Sequence, residues 1–352
     1  MFTPLFDELN SNPGRQGSCV VRYTRTGDLE EHTQQLLDWQ LEYDQLDCGR
    51  FEGDFLDVRL PGMQLFMERT SRCLLQHGVL GAGSVGMAVM LGGQGSLIIN
   101  GVRPGHHGLA AVYDGELVMT TPAQCSLAGV VLDEQLLQEA AHELLGRPLD
   151  IRRGQVTGLL ADGEHVERML ATLRSGILQA LTRPDAFEVD VQARSDMRDE
   201  LLAHLVGMLA DARDTDAEGR ASQRKWLVDR ACALMMSRPH EPPSLEEVCT
   251  EIGVSLRKLN YCFQDVLGLS PHRYARTVRL NAARRELRRC GDERRSVHDV
   301  AARWGFWHLG HFSTDYKRHF CELPSQSLDR ARMTSRAAQA RHMSVPGEAL
   351  LS

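Results

Sequence analysis

The chain writes one pattern twice in its last third, and this repeat constrains the fold more than any other feature. Ser296, Val297, Val300, Trp304 and Gly305 repeat Ser244, Leu245, Val248, Ile252 and Gly253, each 52 positions on. One residue is inserted after the glycine. Phe312, Tyr316, Phe320 and Pro324 then repeat Leu259, Phe263, Leu267 and Pro271, each 53 positions on. A single insertion confined to a turn, with the apolar positions on both sides kept in step, indicates two copies of one small packed unit.

Local chemistry says what the unit is. "PPSLEEVCTEIGVSLRKLNYCF" opens on Ser244 with Glu247 three residues later, the spacing of a capping box. Leu245, Val248, Cys249 and Ile252 make one helical face, and Gly253 stops the helix. A second helix is expected from about Ser255, with Leu259, Cys262, Phe263 and Val266 inward. Two short helices joined by a glycine-containing turn make a helix-turn-helix. Between the copies, "SPHRYARTVRLNAARRELRR" begins with Ser270 as N-cap and Pro271 in the first turn. It contains no further glycine or proline and predicts a continuous helix of 18–20 residues. A rigid spacer matters because two helices reading one side of B-DNA must enter major grooves about 34 Å apart.

The outer faces suit such reading. In the second copy Trp307, His311, Thr314 and Arg318 fall opposite the apolar stripe, flanked by His308, Gly310 and Asp315. In the first copy the outer face holds Arg257, Asn260, Tyr261 and Gln264. Arginine suits guanine O6/N7, and asparagine or glutamine suits adenine N6/N7. Candidate base contacts are therefore Arg257, Asn260, Tyr261, Gln264, His308, Gly310, His311 and Thr314. Candidate phosphate contacts are Ser255, Lys258, Arg284, Arg288, Arg303, Lys317 and Arg318, which would position the helices without specifying sequence.

Charge agrees with this division. The net charge of −7 argues against a polyanionic partner for the chain as a whole. Residues 1–219 hold 17 Lys+Arg against 33 Asp+Glu (17 − 33 = −16), whereas residues 220–341 hold 23 against 13 (23 − 13 = +10). Only the last third is expected to meet DNA.

At these residues the chain resembles the AraC/XylS family of bacterial transcription regulators. "SLEEVCTEIGVSLRKLNYCFQDVLGLSPHRYARTVRLNAARREL" and "SVHDVAARWGFWHLGHFSTDYKRHFCELPS" carry the resemblance, over about residues 225–330. It implies a seven-helix DNA-binding domain with recognition helices at about 255–266 and 308–319. Family members contact bases through positions matching Arg257, Asn260 and Tyr261, and through those around Gly310 to Thr314. The resemblance further implies double-stranded promoter DNA and possible contact with RNA polymerase. One departure is Phe320-Cys321 where the family has Phe-Gly. Cysteine adopts positive φ less readily than glycine, so the exit turn is expected to differ slightly.

The remainder reads differently. From about 40 to 131, short apolar runs such as "FLDVRL", "VGMAVML" and "LAAVY" alternate with glycine-bearing turns, as in a sandwich or barrel. "DLEEHTQQLLDW" (28–39) has a helical pattern, and "DEQLLQEAAHELLG" (133–146) an amphipathic one closed by Gly146. Further helices are expected over 160–182 and 190–212. Their leucine and methionine stripes suit either packing on the barrel or a two-fold dimer interface.

The fold class is α+β: a β-rich, cupin-like N-terminal barrel with flanking helices, then an all-α domain with two helix-turn-helix units. Boundaries are 1–212 for an effector-sensing and dimerisation domain (β-rich 40–131, helical 133–212), 213–224 for a linker, 225–335 for the DNA-binding domain and 336–352 for a tail. In the family the N-terminal domain commonly senses a small molecule or dimerises, so an effector and a homodimer are expected. "DWQLEYDQLDCGRFEGDF" (38–55) bears a weak likeness to sensor domains of ethanolamine-type regulators. Trp39, Tyr43, Phe51, Phe55 and Phe66 are candidates to line an apolar effector pocket.

No cofactor or metal is expected. His106 and His107 are adjacent, and neighbours on a strand point to opposite faces. Nine cysteines include no CxxC pair. No nucleophile or phosphate-loop motif marks an enzyme. "MFTPLFDELNSNPGRQGSC" lacks signal-peptide character and no run reaches the roughly 20 apolar residues of a membrane span. The expected location is the cytoplasm.

Overall fold

The computed structural model describes residues 21–35, 39–104, 109–113, 116–150, 156–160, 163–182, 189–211, 213–214, 218–290 and 295–343. The chain divides into two compact units, one built from the residues up to 47 with 51–228 and 261–268, the other from 48–50, 229–260 and 269 onward.

The first unit has twelve strands among the described residues: β1 (Val21–Thr26), β2 (Gln40–Gln45), β3 (Gly53–Leu60), β4 (Met63–Thr70), β5 (Leu74–Val79), β6 (Ser84–Gly92), β7 (Ile98–Ile99), β8 (Leu109–Tyr113), β9 (Glu116–Thr121), β10 (Cys125–Asp133), β11 (Val156–Leu160) and β12 (Arg213–Asp214). An eight-stranded sheet runs β1-β3-β4-β10-β6-β8-β11-β12, and a four-stranded sheet runs β2-β5-β9-β7, with antiparallel pairing throughout. Strand alternation assigns each face a partner. Leu56, Val58, Leu60, Met63, Leu65, Met67, Val85, Met87 and Val130 share a core with helical residues. Phe55, Phe66 and Leu127, on the other face, share a second core with Leu41, Tyr43, Leu74 and Met119 of the smaller sheet. Both faces of β3 and β4 are covered, so Asp54, Asp57, Gln64 and Glu68 are buried along with the apolar residues of these strands.

Among the described residues, four helices precede Glu218. α1 (Leu29–Thr33) is capped by Asp28, whose carboxylate accepts from the N–H groups of Glu30 and Glu31. It has only five residues, shorter than the helical pattern over 28–39 suggests, because Gln40 enters β2. α2 (Glu134–Leu145) ends on Gly146 with φ 67°. α3 (Gly163–Thr182) and α4 (Val191–Asp211) point Val166, Met169, Leu173, Ile177, Leu201, Leu202, Leu205 and Met208 into the core against the larger sheet. The stripes that suited a dimer interface are thus consumed within the chain. His106 and His107 lie outside the described residues.

The second region is all helical: α5 (Glu218–Ser237), α6 (Leu245–Ile252), α7 (Leu256–Val266), α8 (Pro271–Arg289), α9 (Val297–Arg303), α10 (Leu309–Phe320) and α11 (Pro324–Met343). That makes seven helices among the described residues. The expected linker, 213–224, is helical from Glu218. "EGRASQ" lacks an apolar stripe, yet Glu, Arg, Ala and Gln are good helix formers, and propensity prevailed over the missing periodicity. No helix among the described residues is long and apolar enough to cross a membrane.

Candidate nucleic-acid interface

The first helix-turn-helix is fixed by its caps. Ser244 Oγ accepts from the Glu247 N–H at 3.1 Å, and Glu247 Oε2 accepts from the Ser244 N–H at 2.7 Å, which completes the capping box. Those bonds draw the Glu247 carboxyl below its ordinary value, the backbone N–H of Ser244 contributing most. Gly253 takes φ 76°, so α6 ends in one residue and α7 follows. Leu259, Cys262, Phe263 and Val266 are buried. Arg257, Lys258, Tyr261 and Gln264 are exposed, as is Ser255, whose hydroxyl caps the Lys258 N–H at 3.2 Å. Asn260 is half-buried, and its amide donates to the Leu256 carbonyl at 2.9 Å. Tyr261 is further held by Arg224 of α5, which donates to its hydroxyl at 3.3 Å and ion-pairs with Asp265 at 3.0 Å. Sequence reasoning missed Arg224 because its partners lie 37 and 41 positions away.

The second copy repeats this design. Ser296 and Asp299 form a capping box, and Gly305 takes φ 74°, matching Gly253. A Cβ on Gly305 would lie 2.8 Å from Pro242 Cδ and 3.0 Å from the Pro239 carbonyl oxygen, so the turn requires glycine on both counts. Phe312, Tyr316 and Phe320 are buried with Leu280, Ala283, Leu287, Val300 and Leu328, and Trp304 and Phe306 pack on the same cluster. A buried polar chain runs beneath them. Tyr316 Oη lies 2.7 Å from Ser327 Oγ, which donates to Glu322 Oε1 at 2.8 Å, and Arg284 Nε donates to the same oxygen at 3.1 Å. Trp304 Nε1 donates to Glu286 at 2.8 Å, and Arg276 pairs with Asp315.

The outer face of α10 is open. His308, Gly310, His311, Thr314, Lys317 and Arg318 are all exposed, and so is Trp307 just before the helix. The His308 and His311 rings meet edge to face at 6.0 Å. Thr314 Oγ1 donates to the Gly310 carbonyl at 3.0 Å, and Arg318 pairs with Asp315 at 3.2 Å.

Two expectations are corrected. Arg284 is 6% exposed, its guanidinium 5.1 Å from the Phe320 ring centre and paired with Glu322. It is a strut inside the second copy and is not placed to meet a phosphate. The run of arginines along α8 hid this, because which of them turns inward depends on neighbours 36 to 38 residues away. Cys321 takes φ 57° and closes α10 with a bond from its N–H to the Lys317 carbonyl at 2.9 Å. The exit turn is therefore a left-handed cap despite the cysteine. Of the remaining phosphate candidates, Arg288 is half-buried, while Arg303 is exposed and pairs with Glu286 at 3.3 Å.

The five aromatics proposed for an effector pocket come together, but as packed interior. Trp39 meets Phe66 at 5.1 Å, and Phe55 stacks on Phe66 at 6.2 Å; Phe51, Phe55 and Tyr43 surround His32 at 5.3, 6.2 and 6.3 Å. Tyr43, Phe51, Phe55 and Phe66 are all buried. Sequence reasoning missed the polar heart of this cluster. His32 Nε2 lies 2.9 Å from Glu68 Oε1, His32 Nδ1 lies 3.0 Å from Thr26 Oγ1, and Gln76 donates to Glu68 Oε2 at 3.4 Å. Burial and the Glu68 carboxylate push the Tyr43 phenol well above its ordinary value, which keeps it neutral. Strand parity brings Glu68 to the face that holds Phe66, a placement visible only once β4 is known to be a strand.

Residues 248–330 match a family model described as a helix-turn-helix domain. Over 167 residues the chain is 30% identical to a probable thc operon regulatory protein of Rhodococcus erythropolis, covering 46% of this chain and 49% of that one. Over 122 residues it is 31% identical to XylDLEGF operon transcriptional activator 3 of Pseudomonas putida, covering 35% of each. The chain belongs, through this domain, to the AraC/XylS family. A solved probable AraC family transcriptional regulator from Rhodopseudomonas palustris is 34% identical, covering 30% of this chain and 97% of that one, with a TM-score of 0.28. The chain spans about half the length, or less, of these curated relatives. What the AraC/XylS match establishes is thus the C-terminal domain, with both its helix-turn-helix copies.

Proposed function

We propose that the chain is a transcription regulator that binds promoter DNA through α7 and α10, one in each of two successive major grooves. The observation that carries this reading is the pair of outer faces. Arg257, Tyr261 and Gln264 on α7, and His308, His311 and Thr314 on α10, all stand clear of the helical core. They sit in the part of the chain whose charge balance is +10. Asn260 and the gap at Gly310 complete the base-reading set. Ser255, Lys258, Arg288, Arg303, Lys317 and Arg318 contact phosphates.

Residues 225–335 carry this activity, and residues 1–212 regulate it. A small molecule acting on the N-terminal domain shifts the balance between arrangements that differ in DNA affinity. The His32–Glu68 contact, two polar side chains 2.9 Å apart and buried among aromatics, supports a sensing role, since burying polar groups is a poor way to stabilise a core. The protein acts as a homodimer in the cytoplasm, contacts RNA polymerase at its promoters and catalyses no reaction.

Selection from random duplexes with the full chain tests the reading. An enriched bipartite sequence is expected, with its two parts about one helical turn apart, and an affinity that falls steeply with salt. Absence of any enriched sequence would sink it.

A further inference from the structure

The second copy carries six aromatic side chains between residues 304 and 320, and five of them serve its own packing. Phe312, Tyr316 and Phe320 are buried, and Trp304 and Phe306 pack on the same cluster. Trp307 differs, being 64% exposed at the entry to α10. Leu309, the first residue of the helix, is 39% exposed beside it. Its counterpart 53 positions earlier, Leu256, is also exposed, at 45%, whereas the counterpart of Trp307 is the half-buried Val254. Both copies therefore present a leucine at the start of the recognition helix, and the second adds an indole. Next to it, Gly310 leaves open space where a side chain would stand. A glycine in the first turn of an exposed helix stabilises nothing locally and gives clearance to whatever approaches.

The occupant follows from position. Residues at the N-terminal end of a recognition helix are those that reach base edges in the major groove. The groove there presents one apolar group, the 5-methyl of thymine. We propose that Trp307, with Leu309 beside it, packs against thymine 5-methyl groups in the half-site read by α10, and so makes that half-site depend on thymine. The inference rests on the DNA-binding reading above and adds a specificity determinant to it. His308 and His311, whose rings abut, supply the hydrogen-bonding part of the same readout.

The experiment replaces thymine by uracil, which removes the methyl group and leaves every hydrogen-bonding edge. Sites come from selection with the full chain, and the α10 half-site is the part whose preference changes in His311→Ala. Affinity is measured by fluorescence anisotropy on duplexes with single thymine-to-uracil replacements. The wild-type chain should lose about fourfold at one or two positions, the effect of leaving one methyl-sized group without an apolar contact. Trp307→Ala should bind the thymine duplex more weakly and treat thymine and uracil alike. Trp307→Phe should retain part of the discrimination, which shows that the loss is one of contact and not of folding. Indifference of the wild type to every uracil replacement would overturn the proposal, as would an unchanged thymine preference in Trp307→Ala. If Trp307→Ala bound DNA normally but failed to activate purified RNA polymerase, the indole would be a polymerase contact and the proposal would fall. Failure to select any sequence would instead remove the DNA-binding reading beneath it.

Discussion

Gly268 and Cys321 occupy the same place in the two helix-turn-helix copies, 53 positions apart, and share a left-handed backbone with φ of 73° and 57°. The cap geometry is thus a property of the unit, and the second copy meets it with a residue that carries a Cβ. A non-glycine residue in this region costs about 1 kcal/mol. Cys321→Gly should therefore stabilise the C-terminal domain by about 1 kcal/mol, less the greater freedom of glycine in the unfolded chain. The readout is a higher urea midpoint at unchanged slope. A lower midpoint would mean that the cysteine side chain holds the turn in some other way.

Arg284 and Lys317 separate structure from binding. Arg284→Ala removes one partner of the buried pair with Glu322 and breaks the chain that runs through Ser327 to Tyr316. A loss of about 3 kcal/mol in stability is expected. Lys317→Ala should leave stability unchanged, weaken DNA binding evenly across sequences and reduce the salt slope by about 1. Thermal unfolding and salt titration of both variants check this. A stable Arg284→Ala protein with a reduced salt slope would restore Arg284 as a phosphate contact.

Arg257 is expected to specify a base. Arg257→Ala should relax preference at one position of the selected site and cost about 1–3 kcal/mol in affinity for the preferred sequence. If affinity and preference both stayed as they were, the register of α7 against DNA would be wrong.

The capping boxes set an acid limit. Glu247 and Asp299 are held below their ordinary values of 4.5 and 3.8 by bonds to the Ser244 and Ser296 backbones. A folded-state value below the unfolded one means that the contribution is complete above the unfolded value and is lost as pH falls through the folded one. The C-terminal domain should therefore lose stability as pH drops below about 4.5. Glu247→Gln should flatten part of that fall while keeping a hydrogen-bonding side chain at the cap. Stability followed by circular dichroism between pH 6 and 3 decides it, and an unaltered acid profile in Glu247→Gln would count against the cap.

Much of the second half was legible in the sequence because its determinants are local. A cap and its partner lie three residues apart, a helical face repeats every three or four, and a stop is one glycine. Ser244 with Glu247, Ser270 with Pro271, and Gly253 all do in the structure what those short distances imply. The repeat added a long-range check, since two copies must bury the same positions. The inward and outward sides of α7 and α10 therefore needed no coordinates.

Tertiary structure decided what depends on distant neighbours. Arg284 looks like its fellow arginines on α8 until Glu322 and Phe320 close over it, and burial then makes it a strut. The degree of exposure is also tertiary, since Trp307, which the sequence sets opposite the apolar stripe, is left 64% exposed. In the β-rich unit the sequence marks strands but not their pairing. The meeting of His32 with Glu68 across 36 positions, and the consumption of the α3 and α4 stripes by the larger sheet, depend on how helices pack on the paired strands. Hydrogen bonds between strands carry no side-chain signature, so apolar periodicity can show that a face is buried without showing what buries it.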